Sequence, residues 1–98
     1  MMVISGAGLQ LDEDSQAVRV AGDHVERLSS IEFRLLRTFM LNPGKILSKS
    51  DLLDHVYGVY SDPDSNVVEV YVARLRIKIG KDRIRTQRNQ GYVFGGEP

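Results

Sequence analysis

An α+β domain, with short strands first, three helices next and a hairpin last, is the fold class this chain predicts. Three observations carry that expectation. The first 28 residues alternate apolar and polar side chains between turn formers; two Ser-x-x-acid signatures each precede an apolar-rich run; and a Gly-containing turn separates two short strand-like runs near the end. Ninety-eight residues suit one domain with a single core, so 1–98 is read as one unit.

The pieces VIS, LQL, AVRV and HVERL are separated by GAG, DEDS and AGD. Leu9 and Leu11 flank Gln10, and Val18 and Val20 flank Arg19, the period-2 pattern of strands with one face on a core. A small antiparallel meander is expected. Ser29 and Glu32 then form a capping box, with Leu28 and Phe33 at the spacing of a hydrophobic staple. The first helix should run to about Leu41, where Asn42-Pro43-Gly44 stops it. Ile31, Phe33, Leu35, Leu36, Phe39 and Met40 cover most of its circumference and leave Arg34, Arg37 and Thr38 as the polar side, so it should be the central helix.

KIL allows a brief strand. Ser48 and Asp51 repeat the capping pattern, and a second helix is expected from about Lys49 to Tyr57, ending at Gly58. Asp62, Pro63, Asp64 and Ser65 supply an N-cap and a first-turn proline for a third helix, NVVEVYVARLRIKIG, ending near Gly80. IRTQRNQGYVF closes the chain as two strands around Asn89-Gln90-Gly91. Strands, three helices and a hairpin in this order are the layout of a winged helix-turn-helix.

At about 100° per residue, Val68, Val72, Leu75 and Ile79 of the third helix fall within about 60° of one another, flanked by Tyr71 and Arg76. The opposite face holds Asn66, Val70, Ala73 and Ile77, with Glu69 to one side and Val67, Arg74 and Lys78 to the other. A face that is small and apolar at its centre and cationic at its border fits a protein partner. It also fits a DNA major groove, where Asn66 and Arg74 can hydrogen-bond base edges, Glu69 can accept from a cytosine amino group, and Val70 and Ala73 can touch thymine methyls.

Charge sharpens the second possibility. The net charge is zero, yet residues 1–73 hold six basic and eleven acidic side chains while residues 74–98 hold seven basic and two acidic. All seven of those cations lie between Arg74 and Arg88, with Asp82 as the only acid among them. Such asymmetry points to a polyanion partner. Lys81, Arg83 and Arg85 are read as general electrostatic attraction.

The runs LSSIEFRLLRTFMLNPGKILSKSDLLDHVYG, SNVVEVYVARLRIKI and IRTQRNQGYVF together resemble the effector domain of OmpR/PhoB-type response regulators. The specific parts are Glu32-Phe33 with Leu35-Leu36, Val70 to Leu75-Arg76-x-Lys78, and Thr86 with Gly91-Tyr92. The resemblance covers essentially the whole chain and implies an amino-terminal four-stranded antiparallel sheet. It implies a bacterial, cytoplasmic transcription regulator of a two-component system. A recognition helix at about 65–80 would lie in the major groove of double-stranded DNA, and a wing at about 84–95 would lie on the minor groove or backbone.

By position, the resemblance assigns base reading to Asn66, Val67, Glu69, Val70, Ala73 and Arg74. It assigns backbone contact or wing support to Lys49, Tyr57, Tyr71, Arg76, Lys78, Thr86, Arg88 and Tyr92. The loop Val59, Tyr60, Ser61, Asp62, Pro63 and Asp64 would contact RNA polymerase. Direct repeats bound head to tail are implied, as is a receiver domain elsewhere in a longer protein, since no receiver module is present here. Two places depart from the family pattern, at three residues. Thr-Val-Arg-Gly reads Thr86-Gln87-Arg88-Asn89, and Ala73 stands where a longer polar residue is frequent.

Other chemistries find little support. There is no cysteine, hence no disulfide or thiolate metal site. His24 and His55 lie far apart, Ser48 and Ser65 read as caps, and GAG and NQG lack the strand-to-helix context of a phosphate loop. Asp62, Asp64 and Glu69 do not have calcium-loop spacing. No catalytic residue, metal or cofactor is expected. No apolar run approaches the roughly 20 residues of a membrane span, and MMVISGAG lacks the form of an export signal. The remaining alternative is a protein-interaction module that uses the outer face of the third helix.

Overall fold

The computed structural model describes residues 3–20, 22–56 and 66–95. Strands β1 (Val3–Gly6), β2 (Leu9–Asp12), β3 (Ala17–Val20) and β4 (His24–Arg27) form an antiparallel meander in sequence order. The β1–β2 turn is the two-residue type that needs left-handed backbone at both positions, and Ala7 (φ 51°) and Gly8 (φ 78°) supply it. Leu9, Leu11 and Val18 turn inward and are buried, as the alternation requires.

Helix α1 (Ser30–Leu41) begins with the expected capping box. The Ser29 amide donates to Glu32 Oε1 at 2.8 Å, and the Glu32 amide donates to Ser29 Oγ at 3.2 Å. Leu28 and Phe33 are both buried in the core. The helix is central, and Phe39 stacks on Phe94 with ring centroids 6.4 Å apart. One residue departs from the expected polar side. Thr38 is buried and satisfies its hydroxyl by donating to the Arg34 carbonyl at 2.8 Å, one turn back in the same helix. Arg34 and Arg37 are exposed, and Arg37 pairs with Glu13 at 2.8 Å.

Strand β5 (Ile46–Leu47) leads into α2 (Lys49–Val56), capped by a second reciprocal pair. The Ser48 amide donates to Asp51 Oδ2 at 3.2 Å and the Asp51 amide to Ser48 Oγ at 3.0 Å. The bond from the Ser48 amide, with help from its hydroxyl, holds the Asp51 carboxyl below its ordinary range. The expected end of this helix at Tyr57 and Gly58 lies outside the described residues. So do Asp62 to Ser65, expected to cap the next helix. In α3 (Val67–Ile79) the N-cap position belongs to Asn66, whose side chain makes no capping bond, and Gly80 closes the helix.

The last two strands, β6 (Ile84–Gln87) and β7 (Gly91–Phe94), pair antiparallel. The connecting loop is Arg88-Asn89-Gln90, not Asn89-Gln90-Gly91 as expected from the sequence. Asn89 supplies the left-handed residue (φ 65°), and Gly91 opens β7. Gly91 is there for a different reason. A Cβ at this position would lie 2.0 Å from the Leu47 carbonyl oxygen, because β5 packs onto β7 and makes the sheet three-stranded in the order β5-β7-β6. The core joins the inner face of the meander, α1, α3 and the wing through Leu11, Val18, Leu36, Phe39, Val72, Leu75, Ile84 and Phe94.

Candidate nucleic-acid interface

The apolar stripe of α3 is buried as its periodicity requires. Val68, Val72, Leu75 and Ile79 are each at most 2% exposed. The opposite face is open. Asn66, Glu69, Val70, Ala73 and Arg74 are exposed, and Ile77 is 85% exposed although it is a large β-branched side chain. Ile77 continues the row of Asn66, Val70 and Ala73 at helical spacing. The family pattern does not assign it to the interface, but the helical wheel does. Val67 and Tyr71 are half-buried against the core, so of the base-reading candidates Val67 is the least accessible.

Each cation on α3 has its own surroundings. The Arg74 guanidinium lies over the Tyr71 ring, 5.0 Å from its centroid, so an aromatic plate one turn back holds the cation against the helix edge. Arg76 turns the other way. Its Nε and Nη2 donate to the Ile84 carbonyl at 3.0 and 2.8 Å, Nη2 also donates to Thr86 Oγ1 at 2.9 Å, and the cation stands 5.8 Å from the Tyr92 ring centroid. Arg76 therefore joins α3 to the first wing strand.

Lys78, expected along the DNA backbone, has partners inside the protein. Its Nζ donates to Glu32 Oε1 at 2.6 Å and to the Arg27 carbonyl at 2.8 Å, which commits it to an internal pair with a buried carboxylate. Burial pushes the Glu32 pKa up, but the bonds from Lys78 and from the Ser29 amide outweigh it and leave the carboxyl below its ordinary value. Arg83 is likewise not a general surface charge. It donates to the Ala7 carbonyl at 2.8 Å and to the Ile79 carbonyl, pinning the β1–β2 turn to the end of α3. Three of the seven clustered cations, Arg76, Lys78 and Arg83, thus spend their donors inside the protein. No sequence signal identified the Lys78–Glu32 pair, whose partners stand 46 residues apart.

On the wing side of α3 an open cleft is lined by Ser48, Lys49, Ser50, Glu69, Thr86, Gln87, Asn89, Gln90, Gly91 and Tyr92. It brings Lys49, Thr86 and Tyr92, three of the residues expected at the backbone or wing, to one cleft. It adds Gln87, Asn89 and Gln90, whose place at the wing tip follows from turn position alone. Lys49 Nζ stands 3.4 Å from Glu69 Oε2. The Tyr92 phenol is pushed above its ordinary value by burial first and by the Glu69 charge next, against the pull of Arg76, so it stays protonated as a hydrogen-bond donor. Arg88 is exposed at the wing loop. Tyr57 and the segment Val59 to Asp64 lie outside the described residues. Among those described, no three His, Cys, Asp or Glu side chains are placed to hold a metal ion, and no helix is long and apolar enough to cross a membrane.

Residues 23–94 match the family described as transcriptional regulatory protein, C terminal. The chain is 44% identical over 90 residues to the transcriptional regulatory protein CseB of Streptomyces coelicolor. It is 38% identical over 96 residues to the phosphate regulon transcriptional regulatory protein PhoB of Escherichia coli. These alignments cover 92% and 94% of the chain but 38% and 42% of the relatives, so the chain spans about two fifths of their length. In structure it is similar to the Klebsiella pneumoniae RstA DNA-binding domain in complex with RstA box, with a TM-score of 0.82 and 32% identity over 97% of this chain and 98% of that one. The Bacillus subtilis CssR DNA-binding domain gives a TM-score of 0.80 at 30% identity, covering 88% of this chain and 98% of that one. Sequence, strand order, helix order and wing agree: the chain is a winged helix-turn-helix and belongs to the family of carboxy-terminal domains of OmpR/PhoB-type transcriptional regulatory proteins.

Proposed function

We propose that this domain binds double-stranded DNA in a sequence-specific manner, as the output module of a two-component response regulator that controls transcription. Helix α3 enters the major groove and the β6–β7 wing meets the adjacent minor groove or backbone. One observation carries the reading. The exposed face of α3 is small and apolar at its centre, with Val70 and Ala73, and is bordered by polar and charged groups at Asn66, Glu69 and Arg74. Such a face approaches base edges closely without burying an unpaired charge. The RstA domain with its DNA supports the reading by likeness.

Asn66, Glu69, Val70, Ala73 and Arg74 are the base readers in this proposal, with Val67 at their edge. Lys49, Thr86, Arg88 and Tyr92 meet phosphates, while Arg76 and Tyr71 hold the wing and Arg74 in place. Residues 1–98 act as one domain of a longer chain that carries a receiver module. Two copies bind direct repeats head to tail, and the Val59–Asp64 loop contacts RNA polymerase. Selection of bound duplexes from a random library, followed by titration of the winners at about 50 and 200 mM salt, tests the core of the proposal. Enrichment of one half-site, with affinity falling by orders of magnitude over that salt range, is expected. Weak binding to every duplex, indifferent to salt, refutes it and favours a protein partner for α3.

A further inference from the structure

Glu69 is the one acid on α3, and it sits in the cleft that the DNA reading reserves for a phosphate. Lys49, Asn89 and Tyr92 line the same cleft with groups that can donate to a phosphate, while the Ser48 and Thr86 hydroxyls accept from the Asp51 amide and the Arg76 guanidinium. A carboxylate among donors repels an entering phosphate unless it leaves. Resting on the DNA reading above, we propose that Lys49 and Glu69 are an exchangeable pair that ties one phosphate contact to the identity of one base. In free protein Lys49 is held on Glu69. On a duplex with a cytosine beside Glu69, the carboxylate moves to the cytosine amino group and Lys49 passes to the backbone phosphate.

The geometry suits exchange rather than permanent bonding. The pair is 3.4 Å apart, and the two side chains are 33% and 49% exposed. An open, half-solvated pair of this kind is held weakly. The Lys78–Glu32 pair in the same molecule is the contrast, at 2.6 Å with the acid side chain 5% exposed. Glu69 also lies on the helix between the buried stripe and the outer face, so a change of side-chain rotamer carries its carboxylate from the cleft toward the groove. Where no amino donor is offered, Glu69 stays on Lys49 and its charge remains in the path of the phosphate. Glu69 then confers specificity chiefly by penalising wrong sites. Lys49 is the positioning residue of that readout.

The test uses this domain and its Glu69→Gln, Lys49→Gln and doubly substituted forms, altered at an exposed and a half-buried surface position. Binding to the selected duplex, to variants with each C·G pair replaced in turn, and to a random duplex is followed by fluorescence anisotropy from about 50 to 200 mM salt. Glu69→Gln should tighten random-duplex binding by at least about 3-fold and steepen its log–log salt slope by about 0.9, the signature of one further phosphate contact. It should also flatten a preference of about 5-fold or more at one cytosine. With Lys49 already replaced, Glu69→Gln should leave the slope unchanged. An unchanged slope in Glu69→Gln, or the same steepening with and without Lys49, overturns the exchange while leaving DNA binding intact. Wild-type protein that binds no duplex overturns both this inference and the reading beneath it.

Discussion

Replacing Lys78 with Met separates a structural role from a DNA-contacting one. In wild-type protein the Glu32 side chain is 5% exposed and receives two bonds, from Lys78 at 2.6 Å and from the Ser29 amide at 2.8 Å. Removing one partner of a fully buried ion pair costs about 3–5 kcal/mol. Lys78 is itself 29% exposed, so water reaches its side of the pair and an expected loss of about 2 kcal/mol is appropriate. For a domain of this size that is a fall in melting temperature of roughly 8–16 °C. The Glu32 pKa is depressed in the folded state, so the stabilisation it brings is fully present above its ordinary value of 4.5 and is lost as pH falls through the lower folded value. Wild type and Lys78→Met should therefore differ most near neutral pH and converge on acidification below 4.5. Urea denaturation followed by circular dichroism across that range reads the difference. A loss near neutrality under about 0.5 kcal/mol, or one that does not shrink with acid, refutes the buried-pair argument. A salt slope for DNA binding that becomes shallower by about 0.9 at unchanged stability returns Lys78 to the phosphate backbone.

Gly91→Ala places a methyl 2.0 Å from the Leu47 carbonyl oxygen, so β5 and β7 must part; a loss at or above the upper end of the roughly 1–3 kcal/mol range for overpacking is expected in thermal melts. Arg76→Ala removes three hydrogen bonds to β6, and about 2 kcal/mol should go with them. Amide exchange should quicken in β6 and β7, and unaltered exchange there would detach Arg76 from wing support. Arg74→Ala should weaken the selected duplex by about 1–3 kcal/mol and relax preference at one position, whereas equal losses on selected and random duplexes would make Arg74 a phosphate contact.

Most of the fold was legible locally because its signals are local. Ser29 with Glu32, and Ser48 with Asp51, announce helix starts through bonds spanning three residues. The stripe Val68, Val72, Leu75 and Ile79 reports which face of α3 is buried, because burial follows the 3.6-residue period. The open face of α3 was legible for the same reason, by subtraction. Thr38, read as part of the polar side of α1, is instead buried, and its hydroxyl is satisfied within its own helix, which lets a polar side chain sit there.

The sequence by itself determined the elements, their order, the buried and open faces of α3, and the crowding of cations after Arg74. Tertiary structure alone decided what those cations do. Lys78 and Arg83 are drawn inward by a carboxylate and by backbone carbonyls that arrive from 46 and 76 residues away in the chain, and no local pattern encodes such distances. The need for Gly91 likewise arises from β5, which pairs with β7 although the two strands are far apart in the chain. Net charge is a sum over the chain, but a binding surface depends on which donors remain unspent after the core and the wing have taken theirs.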